Sequence, residues 1–426
     1  MLDLDRRALL KMGLGAGALA ALAGCGGGSG GGSGGTSARV AWYGGDPVHT
    51  AMDAALAAFT AANAGVDLST ERAPYDDYWD KLATQTAGGT GPDVFRMSMA
   101  YFTEYAQRGA LRDLSGAAIS TDGFDEDVAT SGQLDDGLFG IGQSSITHAA
   151  FVNPAPLQAL GAQAPASGWT WDDFATFSRD YAAAAGSGQY GSDDAGGNIQ
   201  IFEVFARQHG SEVFGPEGLA VGQDVIEEWF AFWEALRRDG AAPPPDVTVE
   251  AAGFDASTLA TGLAPVQFGW VQQITFYQPL LPDQPLEIVA VPSGPDGTLA
   301  GQFVKALDFW CVSEGTGSPE LSEQLVDFLL NDETAVKEIG VTLGVPPSSR
   351  SRELLGADPS SPEGKTIAFI EEVADQVGPS PEAWPQGYGE LQSTFTRVNE
   401  DIAFGRSDPA AGAAFMGDEA TRVLGS

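Results

Sequence analysis

The alternation of short strands and helices between residues 38 and 109 constrains the fold more than any other feature of this chain. Residues 38–43 read as a strand, and Gly44-Gly45-Asp46-Pro47 reads as a turn. Val48, Met52, Leu56 and Phe59 then recur at helical spacing as far as about Asn63. Residues 66–70 alternate as a strand, 76–87 predict a helix, and Gly88-Gly89-Thr90-Gly91-Pro92 breaks the chain before a strand at 93–97. A helix over 100–108 closes at Gly109. Such alternation with short links is α/β logic and predicts a largely parallel sheet. Open sheets bind ligands beyond the carboxyl ends of their strands, which directs attention to the loops near 44–49, 74–78 and 97–101. Further on, 171–185 predicts a helix capped by Thr170, with Asp172 and Asp173 in its first turn to suit the helix dipole. An amphipathic helix over 223–238 carries Trp229, Phe230 and Trp233, and Pro243-Pro244-Pro245 interrupts the chain. Strands are expected at 286–291 and 306–312, and a helix at 320–331.

Composition narrows the possible functions. At 426 residues, with 43% apolar residues and nine Trp, the chain suits two or three domains or one large two-lobed unit with an ample core. Its 58 acidic residues against 21 basic ones give a net charge of −37, which argues against a nucleic-acid partner. Three scattered histidines, His49, His148 and His209, form no metal-binding motif, and no cofactor site is expected. Two glycine patterns are misleading. Gly27-Gly28-Ser29-Gly30-Gly31 and Gly13-Leu14-Gly15-Ala16-Gly17-Ala18 resemble nucleophile and dinucleotide motifs, but neither lies at the strand-to-helix turn its chemistry needs. Cys311, in the apolar run Phe309-Trp310-Cys311-Val312, reads as a small buried hydrophobe.

The N-terminus reads as an address. Residues 1–24 combine Arg6-Arg7, Leu9-Leu10 and Lys11 with a short Gly/Ala-rich apolar stretch, which resembles a twin-arginine export signal. Asp5 stands where Ser or Thr is more usual, so the general secretion route stays open. Leu22-Ala23-Gly24-Cys25 resembles a lipobox, with Cys25 as the lipidated residue and the membrane as its partner. Residues 25–37 form a Gly/Ser tether.

From residue 71 onward the text resembles a known family. Tyr75-Asp76-Asp77-Tyr78-Trp79, Gly91-Pro92-Asp93-Val94-Phe95, Gly109-Ala110-Leu111, Phe151-Val152-Asn153 and Gly168-Trp169-Thr170-Trp171 are similar to the sugar-type extracellular solute-binding proteins (family 1) of bacterial ABC importers. Gly262-Leu263-Ala264-Pro265-Val266, Val291-Pro292-Ser293-Gly294 and Gly344-Val345-Pro346 continue the likeness. The maltose-binding protein belongs to the same group. The resemblance implies a periplasmic-binding-protein type II fold: two α/β lobes joined by two or three crossing segments, with a ligand cleft between them. Lobe 1 is then expected at 38–145 plus 290–315, and lobe 2 at 146–289 plus 316–426. It also implies a non-catalytic monomer, tethered to the outer face of the cell membrane, that hands a sugar to ABC permease transmembrane subunits.

A sugar offers apolar C–H faces and a rim of hydroxyls, so aromatic plates and polar groups are the candidate ligand residues. At the first strand's end these are Trp42 and Asp46, with core and turn roles as the alternatives. At the third strand's end they are Ser98 and Tyr101. The segment 140–153 departs from the family pattern, with Gly142 in place of a Pro, and offers Ser144, Thr147 and His148. Trp270 with Gln272 and Gln273 follows a predicted strand, and Trp384 and Tyr388 lie in a Pro/Gly-rich loop read as a lid. The departure at 140–153 leaves a non-sugar ligand open. A sensor partner in place of a permease also stays open, as does a secreted glycoside hydrolase using a carboxylate pair.

Overall fold

The computed structural model describes residues 36–425 apart from 216, 217, 296 and 300. Cys25, the expected export signal and nearly all of the tether lie outside the described residues. The first sheet has five strands in the order Asp67–Ala73, Ser37–Tyr43, Val94–Ser98, Asp308–Val312 and Ile141–Gly142. Its first three strands run parallel, as the alternation predicts, whereas Asp308–Val312 pairs antiparallel with both neighbours. The expected parallel sheet is therefore mixed: the strand that enters late in the chain arrives from the opposite direction.

Side-chain parity explains how this sheet is covered on both faces. Val40 and Trp42 point to one face and pack with Met52, Phe59, Trp310 and Leu325 beneath the helices Asp46–Ala62 and Pro319–Asn331. Ala41 and Tyr43 point to the other, where Tyr78, Phe95, Phe102 and Phe309 lie. Cys311 is buried on that face as a free thiol.

The second sheet has three antiparallel strands, Val266–Trp270, His148–Val152 and Glu287–Val289. Around it pack Trp171–Ala185, Ile199–Gln208 and Gln223–Arg238, whose rings of Trp171, Phe174, Trp229 and Trp233 meet edge to face or tilted. The helix Trp171–Ala185 opens with a full capping box between Thr170 and Asp173.

The chain crosses between the sheets at three places that pair with one another. Ile146 and Lys305 exchange backbone hydrogen bonds of 3.0 Å in both directions, and Ser145 N–H donates to the Val345 carbonyl at 2.7 Å. Two lobe limits read from the sequence need correction. The helices Pro319–Asn331 and Glu333–Ile339 pack on the first sheet and on Asp46–Ala62, and only from Pro362–Val373 does the chain rejoin the second sheet. Residues 290–293 stay with the second sheet, through Trp169 Nε1 to the Ala290 carbonyl and Ser293 N–H to the Trp169 carbonyl. Gly142, which stands in place of a Pro, is required by its surroundings. A Cβ there would lie 2.8 Å from the Val128 carbonyl oxygen and 3.0 Å from the Ala306 Cβ, so close packing demands glycine.

Candidate functional site

Trp270 ends its strand opposite His148 in the register of the second sheet, and the two rings stack with centroids 3.7 Å apart. The Trp270 indole N–H donates to Gln200 Oε1 at 3.2 Å, and its backbone N–H to Gln273 Oε1 at 3.0 Å. Gln200 lies in the first turn of the helix Ile199–Gln208, whose spacing places Glu203 and Arg207 on the same side at successive turns. Glu203 Oε1 accepts from the Trp384 indole N–H at 3.3 Å. Trp384 in turn stacks almost parallel on Tyr388, at 3.9 Å and 7°. Lys305 Nζ lies 4.5 Å above the Trp384 ring and 4.9 Å above Phe303, which meets His148 edge-on. Thr147 Oγ1 accepts from Gln302 Nε2 at 3.0 Å.

Most of these side chains are buried, with Gln200, Gln273 and Arg207 half-buried, yet many of their polar atoms lack a protein partner. Unsatisfied atoms include Lys305 Nζ, Glu203 Oε2, Gln302 Oε1, Gln272 Oε1, Arg207 Nη1 and both ring nitrogens of His148. Isolated buried polar atoms are costly, so such a concentration needs an explanation. Burial pulls the Lys305 ammonium down to about 8, with Glu203 opposing the shift. Burial raises the Glu203 carboxyl, with Lys305 opposing. His148 is held well below its ordinary value, first by burial and then by Lys305, so its imidazole is neutral. Beside the group, a cavity of about 620 Å³ is lined by Glu203, Arg207, Phe214 and Trp384 together with 379–383 and Pro385.

The first sheet contributes the opposite wall. Ser98 caps the helix Met99–Gln107, accepting from the Ala100 N–H at 3.4 Å and facing the Tyr75 hydroxyl at 3.5 Å. Tyr101 stacks on Trp79 at 4.1 Å, and its hydroxyl lies against Gly389 of the helix Tyr388–Ala403. A strap between the sheets runs through residues 379–385. Ser380 N–H reaches Asp127 and Thr103 Oγ1 reaches the Trp384 carbonyl from one side, while Arg207 reaches the Pro379 carbonyl from the other.

Thus Thr147, His148, Trp270, Gln272, Gln273, Trp384 and Tyr388 come together, with Ser98 and Tyr101 facing them. Three expected residues do not join. Trp42 is fully buried in the core of the first sheet, where its indole N–H reaches His49 Nδ1 at 3.1 Å. Asp46 is exposed in the first turn of Asp46–Ala62, the turn role weighed against a ligand role. Ser144 packs against Gly344, where a Cβ would clash with the Ser144 hydroxyl oxygen. Trp384 and Tyr388 are buried at 3% and 1% exposure, not loop aromatics open to solvent, and Tyr388 starts a helix. Sequence reading missed Lys305, Glu203, Gln200 and Tyr75. A readable signal existed for the first two: each is a lone charge inside an apolar run, Phe303-Val304-Lys305-Ala306-Leu307 and Ile201-Phe202-Glu203-Val204-Phe205.

Among the described residues no helix is long and apolar enough to cross a membrane, and no cluster suits a metal ion. The chain is similar to an extracellular solute-binding protein of family 1 from Alicyclobacillus acidocaldarius, at 27% identity and a TM-score of 0.72 over 92% of this chain and 98% of that one. A periplasmic oligogalacturonide-binding protein from Yersinia enterocolitica, in complex with saturated digalacturonic acid, matches at 20% identity and a TM-score of 0.79 over 91% and 98%. An ABC substrate-binding protein from Listeria monocytogenes, in complex with cycloalternan, matches at 16% and 0.78 over 91% and 99%. The family model described as bacterial extracellular solute-binding protein matches residues 54–365. With that match and a fold shared over more than nine-tenths of its length, the chain belongs to the bacterial extracellular solute-binding proteins of ABC transport, a non-catalytic binding family.

Proposed function

We propose that this protein is a lipid-anchored, extracytoplasmic binding protein that captures a carbohydrate by lobe closure and delivers it to an ABC permease. One observation carries the reading: buried aromatic rings and buried polar atoms without protein partners coincide at the crossing segments. A saccharide answers both needs, since its C–H faces pack on rings and its hydroxyls donate and accept. A ligand touching both lobes stabilises the closed form through its differential affinity. Trp270, His148, Gln272, Gln273, Trp384 and Tyr388 hold it from one side, and Ser98, Tyr101 and Tyr75 from the other. The cycloalternan and digalacturonic acid held by the two structural neighbours support a saccharide. Cys25 carries the acyl anchor, and the permease's transmembrane subunits are the partner.

The test is thermal unfolding of residues 36–426 across mono-, di- and oligosaccharides, polyols and amino acids. A ligand at 100 times its Kd adds about 2.7 kcal/mol, a shift of a few degrees for a chain this size. A response to another solute alone would replace the carbohydrate and keep the family. Cys25→Ser is expected to move the protein from the membrane to the soluble fraction. Retention at the membrane would remove the lipid anchor from this account.

A further inference from the structure

The chemistry of the unsatisfied atoms sorts possible saccharides by charge. Lys305 Nζ is the only lysine nitrogen among the described residues that lacks both a hydrogen bond and an ion pair; Lys81 and Lys337 pair with glutamates and Lys365 reaches the Leu286 carbonyl. It is a donor with no acceptor capacity, and so is Arg207 Nη1. Arg207 otherwise holds Glu212 at 3.0 Å and the Pro379 carbonyl at 2.6 Å, with its guanidinium carbon 5.1 Å above the Phe303 ring that Lys305 also overlies. Glu203 Oε2 and Gln302 Oε1 are acceptors without donors. Glu203 and Lys305 both approach Trp384, one at the indole N–H and the other over the ring, yet they form no ion pair.

Three kinds of ligand group can be compared on this geometry. A carboxylate satisfies the ammonium but meets the Glu203 carboxylate as a like charge. An ammonium satisfies Glu203 but is repelled by Lys305 and Arg207. A hydroxyl accepts from Lys305 and donates to Glu203 at the same time, and the two charge-assisted bonds reinforce each other.

We propose that Lys305 and Glu203 are the specificity-determining pair of the cleft and select an uncharged saccharide over uronates and amino sugars, by clamping a ligand hydroxyl between donor-only and acceptor-only groups. This rests on the carbohydrate reading above. The experiment is titration calorimetry of the full chain and its variants with maltose and other neutral di- and trisaccharides, digalacturonate and chitosan disaccharide. The wild-type chain is expected to bind a neutral sugar at least tenfold more tightly than either charged one. Lys305→Met and Glu203→Gln should each weaken the neutral sugar by tenfold to a hundredfold. Glu203→Gln should narrow the gap to digalacturonate, and Lys305→Met the gap to the amino sugar. If either variant fails to fold, the wild-type ranking still decides. Tighter binding of digalacturonate or of the amino sugar by the wild type overturns the charge selection and leaves the carbohydrate reading standing. Binding of no saccharide at all overturns both.

Discussion

Two cations and their carboxylate neighbours, buried in adjoining parts of this protein, are completed in different ways. Arg96 donates to Asp308 at 2.7 Å and to the Tyr43 carbonyl at 2.9 Å, with its guanidinium stacked 4.2 Å from the Tyr43 ring. The Tyr43 hydroxyl closes the set by donating to the other Asp308 oxygen. Lys305 and Glu203, by contrast, share a tryptophan without touching each other, and each keeps polar atoms unmatched. In the first arrangement both Asp308 oxygens and two guanidinium nitrogens are matched by groups the fold itself supplies, and only Arg96 Nε is left over. In the second, the ammonium and one carboxylate oxygen are left unmatched by the fold, as the proposed ligand requires. Burial of charge therefore does not mark a binding site; what marks it is the state of the hydrogen bonds.

The largest expected effect tests the scaffold side. Asp308→Ala leaves Arg96 buried without its carboxylate and should cost about 3–5 kcal/mol of stability in chemical denaturation. A loss below about 1 kcal/mol would place this pair with the surface ion pairs. The next test has the opposite sign. Lys305→Met replaces an unmatched buried charge by an apolar side chain, so the unliganded protein should keep or slightly raise its melting temperature. A clear drop would mean that Lys305 serves the scaffold after all. Trp270→Ala should weaken ligand binding by more than about 1 kcal/mol, the scale of an aromatic contact, while the chain stays folded. Unchanged affinity would assign Trp270 to the core alone.

The smallest effect is a pH dependence. The charged groups facing Lys305 are Glu203 and Glu212, which favour its charge, and Arg207, which opposes it; the His148 ring, held neutral, carries no charge toward it. Its folded value, about 8, lies below its ordinary value near 10.5. Between those limits the unfolded chain binds the extra proton, so stability without ligand should rise with pH there. Ligand affinity should fall over the same rise, because the ammonium donor is being lost. Lys305→Met should flatten both profiles, measured as melting temperature and Kd from pH 6 to 10.

What the sequence made legible was local. The helix Gln223–Arg238 and the capped start of Trp171–Ala185 match their expected limits because periodicity and caps are written within one turn or two. The third crossing was not legible as a lobe boundary, since Gly344-Val345-Pro346 says that the chain bends but not which sheet it leaves. Trp42 misled for a physical reason: a strand buried on both faces gives no clue which aromatic at its end faces the cleft. Glu203 and Lys305 are a hundred residues apart, and neither lone charge reveals the other. Trp270 and His148 were each singled out, but their stacking depends on an antiparallel register that sequence does not state.

Lys305 acts in two places with two different sets of atoms. Its ammonium lies over the Trp384 ring, where the proposed ligand would meet it, while its peptide forms the rung with Ile146 where the crossing segments meet. Under the proposed lobe closure that rung would be the fulcrum, where a small tilt of the peptide is magnified with distance toward the rim of each lobe. One residue would thus carry both the proposed grip and the pivot, with separate atoms. A side-chain substitution at Lys305 therefore removes the proposed grip while the peptide rung with Ile146 stays in place.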